Sequence, residues 1–244
     1  MFFAKQGDKM CQSNVFSTDL YFFGCDLETV TNTVNEIDAL DGGADLSVKK
    51  LGYIIIVTVS ANTEDAQNKT AELLKRSRAG AHIAPEGITT QSEAAVHYLK
   101  KRSLTLSLAE SCTGGMCASR IVDVSGASEV FVGSCVCYAN SAKTSLLKVR
   151  EKTLALHGAV SKYTASEMAR GARKAFSSDI AISVTGIAGP GGGSEEKPVG
   201  TVYFGCSSKR GECVVRAQFQ DKGRDHIRNK SVEFMLYTLL RHII

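Results

Sequence analysis

The sequence predicts an α/β protein: a layered α/β domain whose sheet is covered by helices, preceded by a small α+β unit. Three observations lead there. After residue 89, apolar runs of strand length alternate with segments of helical periodicity, the pattern of a sheet with helices packed on it. Before residue 88, a shorter strand and helix series stands apart, closed by a stretch punctuated with Gly and Pro. The 244 residues carry 43% hydrophobic and 22% charged side chains, an ordinary globular composition, long enough to bury one large core or two modest ones.

In residues 1–88, Leu20 to Phe23 reads as a short strand, and Leu27, Val30, Val34 and Ile37 recur at helical spacing. Asp41 to Asp45 is a turn, Tyr53 to Val59 a second strand, and Thr63 to Lys75 an amphipathic helix. Arg78 to Gly87 reads as a linker, which places the boundary near residue 88.

In residues 89–244, Thr90 followed by Glu93 is a capping-box signature that opens a helix to Lys101. Leu104 to Ala109 is a buried strand, Gly115 to Val124 a helix, Cys135 to Tyr138 a strand, and Ser141 starts a short helix. From Ser161 a further helix lines up Ala165, Met168, Ala169, Ala172 and Phe176 in one apolar stripe, which reads as core. Strands Ile180–Val184, Val199–Cys206 and Cys213–Phe219 follow, and a helix from Gly223 to Arg241 closes the series.

Composition narrows the function classes. A net charge of +4, from 29 basic and 25 acidic residues, lacks the concentrated basic surface of a backbone-binding protein, so nucleic acid is not the expected partner. No apolar run approaches the roughly 20 residues of a membrane span, and Met1 to Asp8 turns polar before a secretory segment can form, so the expectation is a cytoplasmic protein that neither spans nor enters a membrane. The eight cysteines, several within apolar stretches, read as reduced packing residues. They form no paired Cys-x-x-Cys knuckles, and no two of the five histidines share a helix face, so no metal site is expected. A Ser-His-Asp triad likewise finds no seat.

Two loops stand out. Ala109-Glu110-Ser111-Cys112-Thr113-Gly114-Gly115 joins a buried strand to a helix, where glycines admit a ligand to backbone amides and the helix N-terminus favours an anion; a plain turn that needs small residues is the other reading. Thr185 to Ser194 puts a hydroxyl at a strand end before a long Gly-rich loop, more than a connection needs. Between them lie Ser128 and the segment Tyr138 to Lys143. A lysine acts as base toward a serine only where burial or a neighbouring cation lowers its pKa; otherwise Lys143 is a solvated helix residue and Ser128 a cap. Arg224 and Arg228, at the start of the last helix, suit either a phosphate or surface ion pairs.

Read together, Ala109–Gly115, Tyr138–Lys143, His157-Gly158-Ala159-Val160-Ser161, Thr185–Pro190 and Gly192–Val202 resemble the CinA C-terminal domain family, the nicotinamide-nucleotide amidohydrolases. The resemblance covers about residues 90–242. Residues 19–88 resemble, more loosely, the KH-like middle domain of full-length CinA proteins, while those proteins' N-terminal molybdopterin-binding-like domain, with its pyrophosphatase activity, has no counterpart in the residues at hand. The resemblance implies hydrolysis of the carboxamide of nicotinamide mononucleotide, without metal or cofactor. By position in the motifs it makes Ser128 the nucleophile, with Ser111 as the runner-up, and Lys143 the general base. It implies that Ser111, Tyr138 and Thr185 line the same site, Tyr138 positioning either Lys143 or the pyridine ring. Thr113, Gly114, Gly115, Asn140, Gly186, Gly189 and Arg224 would surround the substrate. Ser134, Cys135 and Cys137 depart from the residues expected in the strand before Tyr138. The alternative is a catalytically weak nucleotide-binding accessory of competence or recombination. An RNA-binding role for the first unit lacks the Gly-x-x-Gly clamp with its basic flanks. The apolar sheet and the resemblance together raise the expectation of a homo-oligomer.

Overall fold

The computed structural model describes residues 15–41 and 43–244. The polar start Met1 to Asp8, and residue 42 of the turn read at 41–45, lie outside the described residues. Two sheets are formed, each over its own cluster of buried side chains.

The first contains β1 (Phe16–Phe23), β2 (Asp45–Leu51) and β3 (Ile54–Ala61) in the order β1-β3-β2, all antiparallel. Helices α1 (Leu27–Asp41) and α2 (Glu64–Arg76) complete it, α2 capped by the Thr63 hydroxyl accepting from the Ala66 N–H. Strand β2 was not foreseen. Only Leu46 and Val48 turn partly inward while its other residues face solvent, so its sequence carries too little apolar alternation to read as a strand.

The second sheet is mixed: β5 (Phe131–Val136), β4 (Leu106–Glu110), β6 (Ile180–Gly186), β7 (Thr201–Ser208) and β8 (Gly211–Gln218), in that order. β5, β4 and β6 are parallel; β7 and β8 are antiparallel additions. Strand alternation sorts the faces. Leu106, Leu108, Ile180, Ile182 and Val184 pack with α3 (Gln91–Lys101), α4 (Met116–Val122) and α8 (Arg224–Ile243). The opposite face offers small residues, Ala109, Ala181, Ser183 and Gly205, to α7 (Lys162–Phe176). They let α7 approach closely: the Ser183 hydroxyl donates to the Ala165 carbonyl at 2.6 Å, and a Cβ on Gly205 would stand 2.4 Å from that oxygen. The expected stripe Ala165, Met168, Ala169 and Ala172 is fully buried there.

Helices α5 (Asn140–Leu147) and α6 (Glu151–His157) connect β5 to α7. The capping box of Thr90 and Glu93 is present at the start of α3. β5 begins four residues before the expected strand and ends before Tyr138. Gly133 and Ser134 hide its start from periodicity, and as an edge strand it pairs with β4 alone. The C-terminal half of α8 meets the first sheet, Tyr53 lying edge-on to Phe234 at 5.2 Å and stacked on Tyr237 at 5.1 Å. A Cβ on Gly24, just after β1, would sit 2.8 Å from the Leu240 backbone. Among the described residues no helix is long and apolar enough to cross a membrane.

Candidate active site

Strand order decides where a site can form. From β4 the chain steps to β5 on one side, then crosses back to β6 on the other, so the carboxyl ends of β4, β5 and β6 open a crevice at the point where the winding reverses. Three loops meet there: Ser111–Gly115 after β4, Cys137–Ala139 after β5 and Ile187–Gly200 after β6.

Lys143 occupies the middle. It lies on the first turn of α5 and is only 1% exposed. Its Nζ is 3.0 Å from Ser111 Oγ, 2.7 Å from the Cys137 carbonyl and 3.0 Å from the Tyr138 carbonyl. An ammonium would donate to all three; a neutral amine keeps two N–H groups for the carbonyls and turns its lone pair to the serine hydroxyl. Burial lowers the Lys143 pKa below its ordinary value of 10.5, and none of its three hydrogen-bond partners is a carboxylate that would offset the lost hydration. Burial pushes the neighbouring thiols of Cys112 and Cys137 up to about 12, and the hydroxyl within hydrogen-bond reach of the amine is that of Ser111.

Ser128 is not beside Lys143. It is exposed in the short 3-10 turn 127–129, at the start of β5, whereas Lys143 is bonded to carbonyls just past the end of that strand. Six strand residues at about 3.3 Å each separate the two ends by about 20 Å. The structure thus does not bring Ser128 to Lys143 as the resemblance implies, and the hydroxyl it places there is that of the runner-up, Ser111.

The loop after Ser111 is held from two directions. Gly114 and Gly115 adopt the left-handed region, at φ of 63° and 93°, so the chain can turn tightly into α4. Gly115 has no side chain to cap that helix, and the buried Glu110 carboxylate does so instead. Oε2 accepts from the Gly115 and Cys117 N–H groups at 3.0 and 3.1 Å, while Oε1 accepts from the Ala118 N–H at 2.9 Å and the Ser134 hydroxyl at 3.2 Å. This corrects a second expectation: the helix N-terminus holds the protein's own carboxylate rather than a substrate anion. On the other side, Arg228 on α8 donates from Nε to the Cys112 carbonyl at 3.2 Å and from Nη2 to the Thr113 carbonyl at 3.0 Å. Its guanidinium is thus spent on the loop rather than left for a phosphate. The Thr113 hydroxyl is buried without a partner among the described residues.

The remaining expected residues divide. Tyr138 is 62% exposed, with its hydroxyl accepting from Arg224 Nη2 at 3.0 Å, and Arg224 Nη1 donates to the Gly189 carbonyl at 3.0 Å. These three residues tie the β5 and β6 loops to α8. Tyr138 positions Lys143 through its backbone oxygen, not its ring. The Thr185 hydroxyl donates to the Ala159 carbonyl at 2.8 Å, so its proton is committed to the scaffold. Gly186 ends β6, and Asn140 opens α5 in an exposed position. Sequence reasoning gave Glu110 no role. The available signal was a helix opening on glycines, which needs an acceptor from elsewhere. A cavity of about 770 Å³ opens between the β2–β3 turn and α8, but neither Ser111 nor Lys143 lines it. Among the described residues, no three His, Cys, Asp or Glu side chains gather as a metal would require.

Comparison with known proteins gives this arrangement a context. The CinA C-terminal domain profile matches residues 88–243. The nicotinamide-nucleotide amidohydrolase PncC of Escherichia coli strain K12 is 47% identical over 153 residues, covering 63% of this chain and 93% of that protein. A CinA-like protein of Pseudothermotoga lettingae is 46% identical over 178 residues, which is 71% of this chain; this chain spans less than half of that relative's length, 44%. The crystal structure of a competence/damage inducible protein from Agrobacterium tumefaciens superposes with a TM-score of 0.58 at 38% identity, covering 64% of this chain and 97% of the other.

Proposed function

Because the chain belongs to the CinA C-terminal domain family, we propose that it hydrolyses the carboxamide of nicotinamide mononucleotide to nicotinic acid mononucleotide and ammonia. One observation carries the reading: a fully buried Lys143 amine, aimed by two backbone carbonyls, 3.0 Å from the hydroxyl of Ser111. Such a pair is a known means of acyl transfer without histidine. The amidohydrolase relative supports the substrate class, and the start of the family match at residue 88 supports placing the catalytic unit in residues 89–244.

In the proposed reaction, neutral Lys143 takes the Ser111 proton as Oγ bonds to the carboxamide carbon. The tetrahedral intermediate then expels ammonia, with the proton returned from Lys143 to the departing nitrogen. Water, deprotonated by the same amine, attacks the acyl ester and frees Ser111. The positive pyridinium ring withdraws electrons from the carboxamide and eases both attacks. The oxyanion needs donors already in place. The amides of Cys112 and Thr113 directly follow the nucleophile and donate to no backbone acceptor among the described residues. Arg224, exposed at the crevice rim, is the cation assigned to the 5′-phosphate at a distance from the reacting bond, the phosphate replacing its present partner Tyr138 or Gly189.

The test is ammonia release from nicotinamide mononucleotide beside nicotinamide riboside. The mononucleotide is hydrolysed and the riboside is a poor substrate. Binding of the mononucleotide without ammonia would instead support a nucleotide-binding accessory, and equal turnover of both would remove the phosphate anchor.

A further inference from the structure

We propose that Arg228 is a positioning residue for catalysis, holding the oxyanion-binding amide of the Ser111 loop in its working orientation; the inference rests on the amidohydrolase reading above. The argument is geometric. In a trans peptide the C=O and N–H groups point in opposite directions. The Cys112 carbonyl is fixed by Arg228 Nε, so the N–H of the same peptide plane, that of Thr113, is turned to the far side of the loop. The Thr113 carbonyl is fixed by Nη2, so the Gly114 N–H also points away from Arg228, and it does so onto the Ser111 carbonyl at 3.2 Å. The second pairing supports the first: the side of the loop opposite Arg228 is the side on which Ser111 contributes its backbone oxygen. There the Thr113 N–H, in a fully buried residue, donates to no protein acceptor among the described residues, an unpaired donor next to the nucleophile.

Two nitrogens of one planar fork hold these successive carbonyls at a fixed spacing, which a single ammonium donating from one point does not impose. Nη1 of Arg228 lies 3.6 Å from Asp225 Oδ1, an exposed carboxylate on the preceding turn of α8, so the guanidinium approaches the loop already oriented. Gly114 serves the turn itself: its backbone stands at φ 63°, which side chains rarely adopt, while a Cβ there would meet Nη2 at an ordinary 3.6 Å. Without the fork, the loop would keep its Glu110 anchor at α4 but lose the constraint on two peptide planes.

The experiment uses the full chain and two acyl donors, nicotinamide mononucleotide and the activated ester p-nitrophenyl acetate; the part of its p-nitrophenol burst that Ser111→Ala abolishes reports acylation of Ser111 whatever the natural substrate. Removal of an oxyanion donor typically lowers kcat by about 10² to 10³-fold. Arg228→Ala is expected to lower kcat and the burst rate by about tenfold to a hundredfold. KM should stay within about threefold, and added methylguanidinium should restore much of the rate. Arg228→Lys, with one point charge in place of the fork, should recover only part of it. Circular dichroism confirms folding of each variant; should Arg228→Ala not fold, Arg228→Lys and Arg228→Gln carry the same comparison. An unchanged kcat in a folded variant, or a loss confined to KM with no guanidinium rescue, overturns the positioning role. An Arg228-dependent ester burst without mononucleotide turnover overturns the substrate reading and leaves the positioning role standing. A wild-type chain inert to both overturns the two together.

Discussion

Glu110→Gln tests the most specific claim about how the nucleophile loop is built. The change keeps the shape of a fully buried side chain and halves its accepting capacity. In the native site, Oε2 serves Gly115 and Cys117, and Oε1 serves Ala118 and Ser134. A glutamine leaves one oxygen, so whichever way it turns, an NH₂ group faces one pair of donors. The gentler orientation places NH₂ on the Oε1 side, where the Ser134 hydroxyl can rotate to accept but the Ala118 N–H is orphaned. A lost hydrogen bond to a charged acceptor is worth about 1.5–3 kcal/mol, and a stranded buried donor costs about 1–3 kcal/mol; because these overlap, the expected loss is about 2–4 kcal/mol. At about 2–4 °C per kcal/mol for a chain of this size, the thermal midpoint should fall by about 5–15 °C. Ser134→Ala, which removes one hydroxyl and strands no backbone group, should cost less than about 1 kcal/mol. Melting followed by circular dichroism reads both. A glutamine variant within about 2 °C of wild type would refute the capping argument, because an uncompensated loss of this kind cannot be so small.

Other expectations follow from the same geometry. Ser111→Ala should reduce ammonia release by about 10³-fold or more, whereas Ser128→Ala, on an exposed turn at the far end of β5, should stay within about twofold; the reverse pattern would return the nucleophile to Ser128. Lys143→Met should remove activity by about 10² to 10⁴-fold while holding or raising the melting temperature, since it deletes an amine whose charged form the interior disfavours; a clear loss of stability would contradict this. The sign with pH follows from the same shift. Between the lowered folded pKa of Lys143 and 10.5 the unfolded chain binds more protons, so this group makes stability rise with pH across that window, and kcat/KM should climb through its lower edge as the amine becomes neutral. A rate that falls as pH rises through that range would count against Lys143 as base. Gly205→Ala should cost at least about 1–3 kcal/mol in urea denaturation, because the new methyl would meet the Ala165 carbonyl and Ser183 Oγ at 2.4 and 2.6 Å; a neutral result would mean α7 can yield.

Much of this protein was legible in its sequence, and the failures have physical causes. The helix beginning at Thr90, the buried stripe of α7 and the apolar strands β4 and β6 were readable because each announces itself locally, by a cap or a period. Two of the four edge strands did not: β2 carries Lys49 and Lys50 beside few apolar residues and β5 contains Gly133 and Ser134, so periodicity gave no sign of β2 and misplaced the start of β5. The site suffered for a different reason. Ser128 is closer to Lys143 along the chain than Ser111 is, but the serine that meets the amine is chosen by which strand ends share an edge of the sheet. Parallel pairing of β4 with β5 sends Ser111 and Tyr138 to one edge and leaves Ser128 at the other. Glu110 and Arg228 escaped because both act on backbone groups, and a carbonyl or amide that needs a partner leaves no mark in a string of side chains.

Helix α8 runs as one rod of 20 residues, about 30 Å long. Its opening turns grip the Ser111 and Gly189 loops, and its closing turns lie under β1 and against Tyr53. Held at both ends, the helix joins the two units, so a change at Tyr53 or Gly24 bears on the same rod that holds the Ser111 loop through Arg228.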